Sequence, residues 1–215
     1  MADQETLDRL RGLVAAVGPP VVSFSTRTVP SGFPGLDERL GGWPAPGVVE
    51  ISGAVGSGRL SLVLPSVIAR TNESEPVVIV DPLAMVHPPG WVGVSHRFFL
   101  VIRPPPAQAA CTTEQVVSSG AVGLVVLLDP PRLGRAGARL VRAVERGGAT
   151  LLIVSERAEK SLPARLRLEV KQGGARVLRW RGRRDGQAFD LPIAPPLASS
   201  VIADDMLRQP GTSVP

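Results

Sequence analysis

The sequence has few of the residues that build disulfides and metal sites. Its 215 residues include one cysteine, Cys111, and two histidines, His87 and His96. A single cysteine cannot form a disulfide within the chain, so we expect a reducing compartment, and we expect Cys111 to be a small core residue rather than a nucleophile. The histidines have no cysteine or histidine neighbours at the spacing of zinc ligands, so the sequence predicts no metal site.

Long apolar runs are also missing. No run approaches the roughly 18 residues of a membrane-spanning helix, and the opening MADQETLDRL has no basic stretch followed by an apolar one, as a secretory signal would. Hydrophobic residues nevertheless make up 44% of the chain, which is enough to bury a core. We therefore expect a cytoplasmic protein with one α/β domain and short extensions, and no contact with a membrane.

Lysine is scarce although the chain is basic. Only Lys160 and Lys171 are lysines, so arginine supplies the other 22 of the 24 basic residues, and the formal net charge is +5. A GC-rich coding bias would raise arginine together with proline, glycine and alanine. The position of the arginines along the chain is therefore more informative than their number.

The middle of the sequence alternates apolar runs with helical segments. Helices are predicted at Gly58–Arg70, with a kink at Pro65, at 112–120 and at 132–148. Continuous apolar strands between helices predict a mainly parallel sheet flanked by helices, and the alternating pattern of 165–193 predicts antiparallel strands at its C-terminal end. The runs that predict buried strands are VVEIS (48–52), PVVIVD (76–81), FFLVI (98–102), VGLVVLLD (122–129) and ATLLIVSE (149–156).

The two ends of the sequence differ from this core. Residues 4–17 predict an amphipathic helix that ends at the Gly-Pro-Pro of 18–20, and the Pro- and Ser-rich 194–215 predicts a mobile tail. We thus divide the chain into an N-terminal helix and linker (1–27), a core (28–193) and the tail. The apolar face of the helix has no obvious partner in the core and is a candidate partner-binding surface; it consists of Leu7, Leu10, Leu13, Val14 and Val17.

The stretch VEISGAVGSGRLSLVL (48–63) has the layout of a phosphate-binding loop. Such a loop follows a strand with the pattern G-x-x-x-x-G-K-[ST], yet here Arg59 stands at the lysine position and Leu60 at the Ser/Thr position. The apolar strand that ends at Asp129 corresponds to the one whose aspartate would hold Mg²⁺. The candidate vestigial nucleotide site is Gly53, Gly56, Gly58, Arg59 and Asp129.

The segment VPSGFPGLDERLGGWPAPG (29–47), together with this loop, resembles the corresponding part of bacterial RecA. The similarity continues more loosely to about residue 193, and RecA's C-terminal domain is absent. A short RecA-like chain with an altered phosphate loop resembles the ImuA family, also described as SulA-like. This resemblance implies a RecA-like fold and a role in SOS mutagenesis and translesion synthesis with ImuB and an error-prone polymerase.

The chain differs from the RecA pattern at four sites that take part in ATP hydrolysis or in its coupling to DNA. The Leu60 side chain cannot bind Mg²⁺. The planar guanidinium group of Arg59 fills the loop differently from the compact ammonium group of a lysine. RecA-like ATPases place a catalytic glutamate two residues after the aspartate that here is Asp81, where this chain has Leu83. RecA has an Asn-Gln pair that couples the nucleotide to DNA, and this chain has Ser155 and Glu156 at the corresponding positions.

These changes predict no ATP hydrolysis and no required cofactor. Weak ATP binding without turnover stays open, because backbone N–H groups and a helix N-terminus would still attract an anion. The plainest alternative is that Gly53, Gly56 and Gly58 now only make a tight strand-to-helix turn.

Two groups of basic residues are candidate interaction surfaces. Five arginines spaced three and four apart follow Asp129 and predict one basic helix face, either a solvated surface or a site for an acidic partner. Residues 157–184 carry ten basic against two acidic residues, with Trp180 available for stacking, and predict weak, non-specific contact with single-stranded DNA or a protein-facing or solvated surface. The first group is Arg132, Arg135, Arg139, Arg142 and Arg146; the candidate DNA contacts are Arg176, Arg179, Trp180, Arg181, Arg183 and Arg184.

Three functions are compatible with these observations. The first is a non-catalytic RecA-like adaptor that acts through RecA or ImuB-like partners and restrains recombination. The second is an ATP-dependent DNA-binding enzyme with an unusual nucleotide site. The third is a DNA-binding accessory protein, which depends on the basic strands alone.

Overall fold

The chain is described by a computed structural model that covers residues 27–171, 174–180 and 189–192. The helices are α1 (Pro34–Leu40), α2 (Leu64–Asn72), α3 (Ala109–Ser118) and α4 (Arg135–Gly147), and short 3₁₀ turns span Pro88–Trp91, His96–Phe98 and Pro106–Gln108. The strands are β1 (Thr28–Val29), β2 (Trp43–Pro44), β3 (Gly47–Ser52), β4 (Val77–Val80), β5 (Phe99–Ile102), β6 (Leu124–Leu128), β7 (Thr150–Ser155), β8 (Leu166–Lys171), β9 (Gly174–Trp180) and β10 (Phe189–Pro192).

Eight of these strands form one sheet in the order β10-β9-β8-β3-β7-β6-β4-β5. The six strands β8, β3, β7, β6, β4 and β5 are parallel to one another. β9 pairs antiparallel with β8, and β10 pairs antiparallel with β9. The fold class predicted from the sequence is therefore confirmed. One detail differs, because β8 was expected among the antiparallel strands but pairs parallel with β3.

Helices cover both faces of the sheet, which explains why the central strands β3, β4, β6 and β7 are buried along nearly their whole length. On one face α1 and α2 enclose a core with Trp43 and Leu62. On the other face α3 and α4 pack over Val125 and Leu151. No helix within the described residues is long and apolar enough to cross a membrane.

The 29–47 segment is fixed to the sheet by glycines and by side-chain hydrogen bonds. Gly42, with a φ of 103°, lies against the backbone of β1 so closely that a Cβ would come within 2.0 Å of the Val29 carbonyl oxygen. Asp37 accepts hydrogen bonds from the N–H groups of Ser31 and Gly32, at 2.8 and 3.2 Å. These contacts fix the shape of the segment, and the Thr150 hydroxyl of β7 donates to the Pro44 carbonyl at 3.1 Å, which ties the segment to the main sheet beside the start of β3.

Two predictions from the sequence are wrong in detail. The helix expected from Gly58 begins only at Leu64, because Pro65 has no N–H and fits the first turn of a helix better than its interior. Pro65 therefore starts α2 instead of kinking it. Cys111 is exposed on α3 rather than buried in the core. The predicted N-terminal helix and the C-terminal tail lie outside the described residues.

Candidate functional site

The loop after β3 keeps the backbone path that its glycines allow. Gly53 lies against β8, where a Cβ would come within 2.7 Å of the Val170 carbonyl oxygen, so no larger residue fits there. Gly56 and Gly58 have φ values of 80° and 90°, which other residues adopt only with strain. Turns continue from the loop to Val63 before α2 begins. The helix N-terminus that would face a phosphate is thus displaced along the chain.

Arg59 folds inward from this loop and pairs with Asp129. Its Nη1 and Nη2 atoms lie 2.8 and 2.6 Å from the two carboxylate oxygens of Asp129, which is a bidentate arrangement. The Arg59 side chain is only 4% exposed and that of Asp129 is 14% exposed. The Asp129 carboxylate, which the sequence predicts at a metal-holding position, is therefore neutralised by a cation of the chain itself.

The backbone around Asp129 strengthens this arrangement. Asp129 has a φ of 37°, which is unusual for a residue with a side chain. Its N–H donates to the Val154 carbonyl at 2.7 Å, and the Glu156 N–H donates to its carboxylate at 3.2 Å. One carboxylate oxygen of Asp129 thus accepts two hydrogen bonds and the other accepts one from Arg59.

Three further residues of the RecA-like pattern, Leu60, Asp81 and Leu83, lie in different environments. Leu60 packs against the core on the α1 and α2 side. Asp81 is buried, and its carboxylate accepts hydrogen bonds from the N–H groups of Met85 and Val86 at 2.8 Å each, so it shapes its own loop. Leu83, at the position of the missing glutamate, is 55% exposed.

A second buried ion pair lies beneath the loop that follows β7. Glu50, in the middle of β3, is 1% exposed and pairs with Arg167 of β8. The Glu159 N–H donates to the Glu50 carboxylate, and Arg167 Nη2 donates to the carbonyls of Glu159 and Leu162 at 2.8 and 3.2 Å. Burial raises the pKa of Glu50, and the hydrogen bond and the Arg167 charge only partly oppose this.

Glu159 links the same loop to the start of α4. Its carboxylate accepts hydrogen bonds from the N–H groups of Leu133 and Gly134, at 2.8 and 2.7 Å, and from the Ser161 hydroxyl at 2.9 Å. Burial alone would raise the pKa of Glu159, but these donors and the nearby Arg132 charge outweigh it, so the pKa is lowered. The loop is thereby held to β3, β8 and α4 at once.

Sequence reasoning missed this network. The one available sign was the acidic Glu50 inside the apolar run VVEIS, because a buried charge needs a partner. Its partner Arg167 is separated from it by 117 positions and stands among other arginines, so the pairing was not predictable from spacing.

The five arginines around α4 are all exposed, as the helical spacing predicted. Arg132 precedes the helix and Arg135 is its first residue, while Arg139, Arg142 and Arg146 lie along it. Arg139 pairs with Glu114 of α3 at 3.1 Å, and Glu145 lies close to Arg142 and Arg146. The surface is therefore basic but includes two acidic groups.

Only part of the predicted DNA surface falls within the described residues. Arg176 and Arg179 are exposed on β9, and Arg176 lies 3.9 Å from the Asp190 carboxylate. Trp180 is half-buried and packs against the core, which leaves less of its ring for stacking. Outside the described residues lie Arg181, Arg183, Arg184 and the N-terminal candidates Leu7, Leu10, Leu13 and Val14.

An open cavity of about 1080 Å³ lies where the parallel strands end. Val55 of the phosphate-loop-like turn, Leu83 and Pro130 line its walls, with the Arg59–Asp129 pair to one side. In open α/β sheets ligands bind at this end of the strands. Within the described residues, no group of three His, Cys, Asp or Glu side chains is arranged to hold a metal ion.

Comparisons with known proteins support the fold. No known protein-family model matches the sequence, and no curated protein sequence matches it. Among solved structures, the crystal structure of the RadB recombinase is similar with a TM-score of 0.61 and 19% sequence identity. The similarity covers 77% of this chain and 96% of the RadB chain. The chain therefore has a RecA-like fold of the kind seen in RadB, with an Arg59–Asp129 ion pair beside the loop that follows β3.

Proposed function

We propose that the chain is a non-catalytic RecA-like regulator of the bacterial DNA-damage response. Its partners are RecA, or ImuB-like and error-prone polymerase proteins, and it favours translesion synthesis over recombination. The observation that carries the proposal is the bidentate contact of Arg59 with Asp129. It supports a core that keeps the RecA-like shape without nucleotide.

The physical argument concerns competition for Asp129. A nucleotide with Mg²⁺ would have to separate Arg59 from Asp129 and so lose a bidentate, charge-assisted contact between two largely buried groups. Leu60 then offers no oxygen to help bind the metal. The nucleotide would thus have to offset this cost with fewer contacts than a complete phosphate loop provides.

The role in DNA metabolism has a separate basis. The RadB neighbour is a recombinase by its title, and the sequence resembles RecA in residues 29–69. As a short RecA-like chain with an altered phosphate loop, it also resembles the ImuA family. A RecA-like subunit that cannot couple docking to nucleotide turnover would occupy a partner without passing through its cycle. This supports an adaptor that restrains RecA rather than a recombinase.

The direct test is RecA-catalysed strand exchange titrated with this protein. We expect the full chain to inhibit exchange at stoichiometric amounts, and we expect a variant without residues 1–20 to lose most of the inhibition. Inhibition by neither form would remove RecA as the partner. Equal inhibition by both would exclude the N-terminal segment as the docking element.

Millimolar Mg-ATP is expected to leave the melting temperature of the protein unchanged. A ligand at a hundredfold excess over its dissociation constant adds about 2.7 kcal/mol to the free energy of unfolding, which raises the melting temperature by several degrees at this size. The measurement is a calorimetric melt with and without Mg-ATP, next to an ATP turnover assay with single-stranded DNA. A clear upward shift or DNA-stimulated turnover would favour the ATP-dependent alternative.

Single-stranded DNA is a further candidate partner, because Arg176 and Arg179 lie exposed on β9. We expect weak binding without sequence preference, falling steeply as salt increases, since phosphate contacts release counterions. The variant Arg176→Glu/Arg179→Glu should reduce the affinity several-fold. Its matched control, Arg142→Glu/Arg146→Glu on α4, changes the net charge equally and should reduce it less. Equal losses would mean that only the total charge matters.

A further inference from the structure

The loop between β7 and β8 is hydrogen-bonded to both buried ion pairs. We call its residues 156–162 the β7–β8 strap. At the start of the strap the Glu156 N–H donates to the Asp129 carboxylate, and in its middle the Glu159 N–H donates to the Glu50 carboxylate. The strap therefore connects two carboxylates, each of which is paired with an arginine.

The middle and the end of the strap are held by several contacts. Arg167 Nη2 donates to the carbonyls of Glu159 and Leu162, and the Glu159 carboxylate accepts two hydrogen bonds from the backbone at the start of α4. The Leu162 side chain is buried. Opening this part would leave buried polar groups without partners, so it is unfavourable.

The start of the strap is held less firmly. The Glu156 N–H lies 3.2 Å from Asp129 Oδ1, at the long end of the range for such bonds, and Glu156 itself is exposed. The Ser155 hydroxyl donates to the Arg157 carbonyl at 3.0 Å, but this contact spans only two residues. Asp129 Oδ1 also accepts the hydrogen bond of Arg59 Nη1 at 2.8 Å. Arg59 thus fixes the oxygen to which the strap is bonded.

Without Arg59 the Asp129 carboxylate has reason to turn away. The φ of 37° at Asp129 is a strained value, which the surrounding contacts must maintain. The side chain is 14% exposed, so water is within reach, and an unpaired carboxylate gains solvation by turning toward it. The Glu156 N–H would then lose its acceptor.

We infer that the β7–β8 strap is a conformational device controlled by Arg59. While Arg59 is paired with Asp129 the strap is closed along its whole length, and displacement of Arg59 releases residues 156–158. The released part carries Arg157, an exposed cation that lines the open cavity. A change inside the core is thereby converted into a change of the charged surface at the ends of the strands. The inference does not depend on which partner the proposed function names.

Native-state hydrogen exchange of the full chain, resolved by residue with NMR, tests the inference. We expect the Glu156 amide to exchange at least about tenfold faster in Arg59→Met than in the unsubstituted protein, because its acceptor is lost. The matched control, Arg70→Met, breaks the pair of Arg70 with Glu75 and should change this exchange by less than about twofold. The exchange is repeated at several low urea concentrations, since local opening exposes little surface and hardly depends on urea.

Four results would overturn the inference. The first is unchanged exchange of the Glu156 amide in Arg59→Met, and the second is an amide that is unprotected already in the unsubstituted protein. The third is slower exchange, which would mean that the freed carboxylate binds the strap more tightly. The fourth is an acceleration that follows urea in step with global unfolding, because it would show no separate motion of the strap.

The Glu159 amide and a second substitution sharpen the test. Because Arg167 still holds Glu50 in Arg59→Met, the Glu159 amide should accelerate less than the Glu156 amide, and Arg167→Met should reverse this order. Arg59→Lys keeps a cation but not the bidentate contact, so it should accelerate the Glu156 amide by less than Arg59→Met does. Arg59→Lys also provides the measurement if the methionine variant does not fold, and exchange as slow as in the unsubstituted protein would then count against the inference. Equal acceleration of both amides in every variant would show that the strap moves as one piece and that Arg59 has no separate control of its start.

Discussion

Replacing Arg59 with methionine is expected to lower the free energy of unfolding by about 2–4 kcal/mol, because it leaves a carboxylate without its cation in a largely buried position. Asp129 is 14% exposed, so water screens the lone charge only partly. Methionine keeps much of the side-chain volume of Arg59, so the loss reports mainly on the ion pair and not on a cavity. The measurement is urea unfolding followed by circular dichroism.

The matched control for this substitution is Arg157→Met. Arg157 lines the same cavity, is exposed, and has no ion-pair partner among the described residues, so we expect a change within about 0.5 kcal/mol. If both substitutions cost the same, the Arg59 pair contributes nothing specific to stability.

A double-mutant cycle with Asp129→Asn separates the pair from its surroundings. Asparagine still accepts hydrogen bonds but carries no charge, so Arg59→Met should cost much less in its presence, with a coupling energy of about 1–3 kcal/mol. Additive losses would show that Arg59 and Asp129 act independently. In that case the proposed non-catalytic role would lose the observation that carries it.

The central strands of the fold were predictable because each leaves a local apolar pattern, whereas the two-residue strands β1 and β2 were not predicted. β6 and β7 are buried along their whole length and appear in the sequence as unbroken apolar runs, within one or two residues of the observed bounds. The start of α2 was placed too early, since the loop glycines and the proline compete with helical spacing. Cys111 was misplaced because small residues on a short amphipathic helix fit either face.

For the candidate site, the sequence predicted only which residues of a phosphate-binding loop are replaced. Position by position, the sequence shows that Arg59 and Leu60 replace the residues that bind phosphate and metal. It does not show that Arg59 turns inward to Asp129, 70 positions away, because that contact depends on the path of the loop from Gly53. The Glu50–Arg167 pair was missed because it depends on the pairing of β3 with β8, which places these two residues side by side. Charged pairs across a sheet carry no spacing rule, in contrast to pairs along a helix.

Replacing Arg167 with methionine is expected to cost about 3–5 kcal/mol of unfolding free energy, because it leaves Glu50 buried without a cation. The substitution also removes the donor to the carbonyls of Glu159 and Leu162, so the loop after β7 should open more often. Amide hydrogen exchange should therefore increase in this loop more than in the rest of the core.

The control and the rescue decide whether this cost comes from the lone charge. Lys171→Met removes another cation of β8, one that pairs with Glu169 at the surface, and should change stability by less than about 1 kcal/mol. Glu50→Met/Arg167→Met removes both charges and should recover most of the loss, since apolar pairs of similar volume often replace buried ion pairs without cost. If the double variant is as unstable as Arg167→Met, the loss comes from the loop contacts of Arg167. The network would then serve mainly to hold residues 156–162 over the cavity.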